Sequence, residues 1–136
     1  MKNMKGVKDS GGGLERDPLC EKILGCAIEV HRELGPGLLE SVYETCLADE
    51  LTAAGIKFQR QFPIPVMYKG RLMDCGFRAD ILVADQILLE LKAMESLLPI
   101  HEAQLLTYLR LAKVRHGFLM NFNVRLLKDG LRSYFL

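Results

Sequence analysis

The segment GFRADILVADQILLELKAM, residues 76–94, constrains the fold of this chain more than any other part of the sequence. Two runs of mostly apolar residues lie on either side of the tripeptide ADQ. Short apolar runs separated by a few turn-forming residues are typical of neighbouring strands in a buried sheet. We therefore predict a β-hairpin that contributes both of its strands to the core of the protein.

Charged residues interrupt the apolar runs of this hairpin: Asp80 in the first strand, and Glu90 and Lys92 in the second. A loop of three residues places Asp80 directly opposite Glu90, with their Cβ atoms about 4.5–5.5 Å apart. A loop of two residues would instead pair Asp80 with Leu91 and mix apolar with polar side chains on each face. The pattern therefore favours the three-residue loop.

The predicted register divides the side chains of the hairpin between two faces of the sheet. One face is wholly apolar and is expected to form the core: Phe77, Ala79, Ile81, Val83, Ile87, Leu89, Leu91 and Ala93. On the other face, Asp80 lies opposite Glu90. Two like charges in this arrangement destabilise the sheet unless a positive charge compensates them. Two interpretations stay open: a solvated face neutralised by Arg78 and Lys92, or a magnesium or manganese site, since both ions prefer carboxylate oxygens.

The rest of the chain predicts a single α/β domain with a mixed sheet, in the order α-α-β-β-β-α-β. Residues 1–16 are polar and glycine-rich and are expected to form a disordered tail, so that the domain spans 17–136. Asp17 and Pro18 are a typical helix start, and the tripeptide GPG at 35–37 ends that helix.

The remaining elements follow from periodicity and from the prolines. A second helix is expected over 38–54 and a third within PIHEAQLLTYLRLAKV. The segment IKFQRQFPIPVMY predicts an edge strand bent by its two prolines. The apolar run HGFLMNF predicts a central strand, and the C-terminal VRLLKDGLRSYFL fits a helical turn followed by a last strand.

Composition excludes several classes of protein. The four cysteines have no zinc-finger spacing and are expected to be buried free thiols in a reducing compartment, which favours a cytoplasmic location. No apolar run reaches the roughly 18 residues that a membrane span needs.

The formal net charge is only +1, but the last quarter of the chain is basic. This basic segment is interpreted either as a solvated surface or as a patch that faces phosphates. Serine and zinc hydrolases are disfavoured, because their motifs do not occur.

Two further segments carry candidate functional residues. In GLLESVYETCL, Glu40 lies at the edge of an apolar helical stripe, while Glu44 is expected to be an ordinary surface acid. In HEAQLLTY, the spacing places His101, Gln104 and Tyr108 on one helix face, where they would form a polar rim over the site. A lone helical histidine is more often structural than a ligand, and we expect this of both His101 and His31.

These segments together resemble a known family of proteins. The motif GLLESVY supplies Gly37, Glu40 and Tyr43, and it is followed by RAD…ELK and then by HEAQLLTYLR…GFLMNF. The chain is similar in this respect to the GxxExxY family, a branch of the PD-(D/E)XK nuclease-like superfamily, over about residues 17–133. One departure is Lys113, which stands near the end of the third helix where the family would have a glycine.

The resemblance implies a restriction-endonuclease-like core, a mixed β-sheet flanked by helices. It implies that Asp80 and Glu90 bind the metal, that Lys92 is the catalytic lysine, and that Glu40 is a further acid which completes the metal shell. Gln104 and Tyr108 match an element that orients the site or contacts nucleic acid.

The expected function is therefore a Mg²⁺-dependent or Mn²⁺-dependent nuclease that hydrolyses phosphodiester bonds of nucleic acid, with DNA favoured over RNA as the partner. The alternative is a non-catalytic nucleic-acid- or protein-binding module on the same fold. A homodimer formed through the apolar first helix is a third option.

Overall fold

The computed structural model describes residues 17–136, and the expected N-terminal tail, residues 1–16, lies outside the described residues. This part of the chain contains three helices: α1 (Pro18–Leu34), α2 (Glu40–Ala53) and α3 (Pro99–Ala112). The strands are β1 (Phe58–Pro63), β2 (Val66–Tyr68), β3 (Arg71–Met73), β4 (Arg78–Val83), β5 (Ile87–Lys92), β6 (His116–Asn121) and β7 (Leu131–Phe135). A 3₁₀ turn, Leu127–Gly130, precedes β7.

Five strands form one mixed sheet in the order β1-β4-β5-β6-β7. Strands β5 and β6 are parallel, because α3 connects them, and the other pairs are antiparallel. The predicted α/β restriction-endonuclease-like architecture is thus confirmed. The sequence underestimated the number of strands. The predicted strand IKFQRQFPIPVMY contains both β1 and β2, and the segment RLMDCGFRADILV, predicted as one strand, contains both β3 and β4. Strands β2 and β3 form a separate small hairpin between β1 and β4.

Helix α1 begins and ends where the sequence predicts. The Asp17 side chain accepts a hydrogen bond of 3.0 Å from the Leu19 N–H, and Pro18 occupies the first helical position. Gly35 ends the helix with a φ of 69°, a conformation that glycine adopts without strain. The helix lies across the sheet together with α2, and its buried residues are Cys20, Ile23, Cys26, Ala27, Val30 and His31.

Apolar side chains cover both faces of the sheet. On one face, Ile81 and Leu89 pack in a cluster that also contains residues of α1 and α2. On the other face, Leu82 and Leu88 are buried in a second cluster with residues of α3. The second hairpin face is therefore not a solvated surface, and its charged residues are set into a largely buried environment.

The expected assignment of side chains to the core face was wrong at its beginning. Phe77 is 49% exposed, since β4 starts only at Arg78. Ala79 is buried in the cluster on the α3 side, whereas Ile81, two residues later, packs on the opposite side. The regular alternation of faces fails between them because strand pairing is interrupted at Asp80 on both sides of β4.

All four cysteines are free, as predicted. Cys20 and Cys26 are buried in α1, and Cys46 is half-buried in α2. Cys75 is exposed, contrary to the expectation that the thiols are buried, because it lies in the connection between β3 and β4. Within residues 17–136, no helix combines the length and the apolar character needed to cross a membrane.

Lys113 terminates α3 in the left-handed conformation, with φ 59° and ψ 41°. A residue with a Cβ atom is strained there, whereas glycine is not. We expect Lys113→Gly to raise the free energy of unfolding by about 0.5–1 kcal/mol, the relief of strain exceeding the added entropy of the unfolded chain.

Urea denaturation of the two proteins measures this difference. The matched control is Arg110→Gly, in the last turn of the same helix, where glycine should instead destabilise by about 1 kcal/mol. A loss of stability in Lys113→Gly comparable to that in the control would contradict the prediction.

Candidate active site

The register of the hairpin formed by β4 and β5 confirms the predicted three-residue loop. Val83 pairs with Ile87, and Ile81 pairs with Leu89. Backbone pairing stops at that point, although the same register would next bring Asp80 opposite Glu90. The two acids therefore lie at the position where the strands separate.

The carboxylates of Asp80 and Glu90 replace the missing backbone hydrogen bonds. The Asp80 N–H donates to Glu90 Oε2 at 3.0 Å, and the Leu91 N–H donates to Asp80 Oδ2 at 2.7 Å. Each acid thus binds the backbone of the opposite strand. Among residues 17–136, no hydrogen bond is made to the remaining oxygens, Asp80 Oδ1 and Glu90 Oε1.

Burial and repulsion between the two acids shift their protonation. Glu90 is 6% exposed, and burial, followed by the charge of Asp80, raises its pKa to about 8. Burial also raises the pKa of Asp80. The charge of Lys92 lowers the pKa of both acids. A second cation between the acids would stabilise both of them in the ionised form.

Glu40 lies next to this pair, at the start of α2. Its Oε2 accepts a hydrogen bond of 3.3 Å from the N–H of Ala93, the residue that follows β5. Its charge raises the pKa of both Asp80 and Glu90. Glu40 comes from a helix and the other two acids from neighbouring strands, and its charge is near enough to affect the pKa of both.

Glu44 is not the surface acid that the sequence predicts. It is 7% exposed, and its carboxylate accepts hydrogen bonds of 3.0 Å from both Arg60 Nε and Gln61 Nε2. Strand β1 covers this side of α2, and helical periodicity does not show which element covers a helix. Periodicity could have shown that this side is buried, because Glu44 has the i, i+3, i+7 spacing with Leu47 and Leu51, which are both fully buried.

Glu44 also contributes to the electrostatics of the site, since its charge raises the pKa of Asp80. Its partner Gln61, on β1, lies opposite Asp80, on β4, at the gap in the pairing of the two strands. Gln61 has a φ of 52°, which is unusual for a residue other than glycine. Strained backbone of this kind persists only where surrounding contacts hold it, and Glu44 supplies such a contact.

The predicted polar rim on α3 is present in part. Gln104 Nε2 donates to the Tyr108 hydroxyl at 3.1 Å. Burial and then the charge of Glu90 raise the pKa of Tyr108. His101 has a structural role, as expected, because its Nδ1 accepts the Leu98 N–H at 3.0 Å and caps the helix. His31 is also structural, with Nε2 at 2.7 Å from the Val124 carbonyl oxygen.

Asn121 is a supporting residue that the sequence analysis missed. It is buried at the end of β6, where it pairs in register with Lys92. Its side-chain amide accepts from the Met94 N–H at 3.1 Å and donates to the Met94 carbonyl at 2.9 Å. These bonds fix the chain just after Lys92. The signal was an amide at the end of an otherwise apolar strand.

A mixed five-stranded sheet flanked by helices, two strands of which separate at a pair of carboxylates, has the α/β architecture of restriction endonucleases. The chain belongs to the PD-(D/E)XK nuclease superfamily, whose family model matches residues 17–134. Searches of curated proteins and of solved structures each find no match.

Nucleases of this superfamily generally use divalent metal ions. Within residues 17–136, no three His, Cys, Asp or Glu side chains are grouped closely enough to hold an ion by themselves. The pair Asp80 and Glu90 nevertheless fits one, because it offers oxygen donors, two of which accept no hydrogen bond from these residues. Oxygen donors are the ligands that Mg²⁺ and Mn²⁺ prefer, and such ions usually keep several waters.

Proposed function

We propose that this chain is a member of the GxxExxY branch of its superfamily and a metal-dependent nuclease that hydrolyses phosphodiester bonds of nucleic acid. The observation that carries the proposal is the pair of a half-buried Asp80 and a buried Glu90, which lie side by side where two strands separate, with Lys92 nearby. Two like charges kept in a buried place destabilise a fold, so their presence points to a function. DNA is the first substrate to test, because the fold is that of restriction endonucleases.

Asp80 and Glu90 would hold Mg²⁺ or Mn²⁺, and Glu40 would complete the set of acidic ligands. A bound ion supplies a Lewis acid at the phosphate and lowers the pKa of a coordinated water. Release of the two hydrogen bonds that the carboxylates make to backbone N–H groups is not required, since each acid keeps one further oxygen.

Lys92 is the catalytic residue in this proposal. The oxygen of a water forms the new bond to phosphorus, and the bond from phosphorus to the leaving sugar oxygen breaks. The Lys92 ammonium orients that water and stabilises the charge that develops on the phosphate oxygens. Gln104 and Tyr108 lie at the side of the site and would contact the sugar-phosphate backbone of the substrate, with the Tyr108 hydroxyl as the nearer group.

Cleavage assays test the proposal directly. Single-stranded and double-stranded DNA and RNA are incubated with the protein and Mg²⁺ or Mn²⁺, with a chelator in parallel reactions. We expect cleavage that the chelator abolishes, and the relative rates identify the preferred nucleic acid. Metal-independent cleavage, or none with any of the four substrates, would reject the proposal.

The predicted metal ligands are tested by thermal denaturation. At a metal concentration about 100 times the Kd, binding stabilises the folded protein by about 2.7 kcal/mol. We expect Asp80→Asn to remove this stabilisation. The matched control is Asp85→Asn, an exposed acid in the turn of the same hairpin, whose left-handed backbone asparagine tolerates well. Equal metal stabilisation of the two variants would exclude Asp80 as a ligand.

One observation favours the alternative, a non-catalytic nucleic-acid- or protein-binding module. Both carboxylates already accept backbone hydrogen bonds, which gives each of them a structural use. A module of this kind would bind nucleic acid or protein without cleaving nucleic acid, and Mg²⁺ would leave its melting temperature unchanged. The same two experiments therefore separate the alternatives.

A further inference from the structure

The β2–β3 hairpin stands apart from the main sheet and pairs only with itself among the described strands. Tyr68 pairs with Arg71 across a two-residue turn of Lys69 and Gly70. Both turn residues have positive φ, 50° and 79°, as the tight turns of twisted hairpins require. The turn fixes the directions of the flanking side chains.

This hairpin exposes a large part of its apolar surface. Met67 is 56% exposed, Tyr68 54% and Leu72 68%. Its charged residues are both basic, since the segment VMYKGRLM holds Lys69 and Arg71 and no acid. The Lys69 ammonium lies 5.4 Å from the centre of the Tyr68 ring. An exposed aromatic ring with two cations and no acid is complementary to a polyanion whose flat apolar groups are accessible.

The hairpin lies beside the candidate active site. Its base is tied to the main sheet by the hydrogen bond of 2.9 Å from the Ile64 N–H to the Phe77 carbonyl. Phe77 precedes β4, the strand that carries Asp80. The Phe77 ring lies 6.2 Å from that of Tyr108, which packs in the cluster of α3 residues on the same side of β4 as Ala79. A nucleic-acid strand that extends from the site past Phe77 would therefore reach the hairpin next.

A cavity of about 320 Å³ opens at the base of the hairpin. Pro65, Leu72 and Phe77 contribute apolar walls, and two charged residues, Asp74 and Arg78, also line the cavity, Arg78 at the end that leads to β4. The half-exposed Phe77 ring offers a flat surface for stacking, and the guanidinium of Arg78 offers a donor for a phosphate. The cavity is thus suited to a flat aromatic group attached to an anion.

We propose that the β2–β3 hairpin binds an unpaired strand of nucleic acid next to the site of cleavage. One base stacks on Tyr68, a second enters the cavity against Phe77, and Lys69 and Arg71 bind the phosphates. Bases in a duplex present their faces only to one another, so this surface selects single-stranded segments. The inference rests on the proposed function for the position of the substrate, and it adds which form of nucleic acid is held.

Binding measurements test the hairpin separately from catalysis. Fluorescence anisotropy follows labelled single-stranded DNA and a blunt duplex of the same sequence, bound by the full chain carrying Asp80→Asn to prevent cleavage. Adding Tyr68→Ala should weaken binding of the single strand about tenfold, the effect of losing one stacked base. Binding of the duplex should change less than twofold, and Tyr68→Trp should keep the affinity for the single strand.

Met67→Ala is the matched control, because Met67 is equally exposed but lies on the other face of the same strand. It should leave the affinity for the single strand unchanged. The contribution of charge is measured with Arg71→Gln, which should reduce the slope of log K against log salt concentration by about 0.7 for a single strand.

Equal losses in Tyr68→Ala and Met67→Ala, equal losses for the single strand and the duplex, or no loss in Tyr68→Ala would overturn the inference. None of these results bears on the proposed function, which is tested separately by cleavage with the wild-type protein. Conversely, Tyr68-dependent binding by a protein that cleaves nothing would support the hairpin site and reject the nuclease.

Discussion

Replacing Lys92 by methionine is expected to lower the rate of metal-dependent cleavage by about 10²–10³-fold while the metal still stabilises the protein. Lys92 is the last residue of β5, and its charge lowers the pKa of both Asp80 and Glu90. Methionine keeps the apolar stem and removes the ammonium. The transition state then loses its nearest protein cation, whereas the carboxylates that bind the ion remain.

The position of Lys92 makes this substitution easy to interpret. The backbone of the residue is fixed by parallel pairing with Asn121 and by the hydrogen bond of 2.8 Å from the Phe122 N–H to its carbonyl. The side chain alone therefore changes. Loss of a positive charge beside two acids should, in addition, keep or raise the affinity for a divalent ion.

Single-turnover cleavage rates and metal titrations by thermal denaturation are measured on the same preparations. Lys22→Met removes an exposed lysine of α1 and should cleave at the wild-type rate. Lys92→Arg keeps the charge but replaces a compact ammonium by a planar group, so an intermediate rate is expected. If Lys92→Met cleaves as fast as the wild type, Lys92 has no part in the chemistry.

The geometry of the two hairpin acids could be predicted because it depends on neighbouring residues alone. The length of the loop fixed the register, and the register placed Asp80 opposite Glu90. The separation of the strands at that point could not be predicted in the same way. The hairpin packs under α3, and buried backbone N–H groups need hydrogen-bond acceptors. At this point the acceptors of the Asp80 and Leu91 N–H groups are carboxylates instead of backbone carbonyls, which the pattern of residues does not show.

Contacts between distant segments account for what the sequence analysis missed. Glu44 is buried because β1, some 16 residues later, packs over it with Arg60. Asn121 acts on Met94 across 27 residues. The sequence predicts a turn at YKGR, which the structure confirms, but it does not show that β2 and β3 form a hairpin of their own, because strands of three residues are too short to show a period. Helical and strand periodicity report which side of an element faces the protein, and they do not identify what covers it.

Replacing Glu90 by glutamine is expected to remove most of the pH dependence of stability of the metal-free protein between pH 5 and 9. In the folded protein the pKa of Glu90 is raised from 4.5 to about 8, by burial first and then by the charge of Asp80. Because the folded protein favours the protonated form of Glu90, this carboxyl group contributes its full stabilisation below the pKa of the unfolded chain. The contribution is lost as the pH rises through about 8 and the group ionises in the folded protein. Metal-free wild-type protein should therefore lose stability on the order of 3 kcal/mol towards pH 9.

Glutamine cannot ionise, yet its side-chain oxygen can still accept the Asp80 N–H. Glu90→Gln should accordingly match the wild type near pH 5 and exceed it at pH 9, in urea denaturation with a chelator present. Glu95→Gln, an exposed glutamate just beyond β5, should follow the wild-type profile. Addition of Mg²⁺ should restore the wild type at pH 9 far more than Glu90→Gln, because the ion takes the place of the proton between the two acids. Parallel profiles for the wild type and Glu90→Gln would mean that Glu90 is already ionised without metal, and that Lys92 alone compensates the pair.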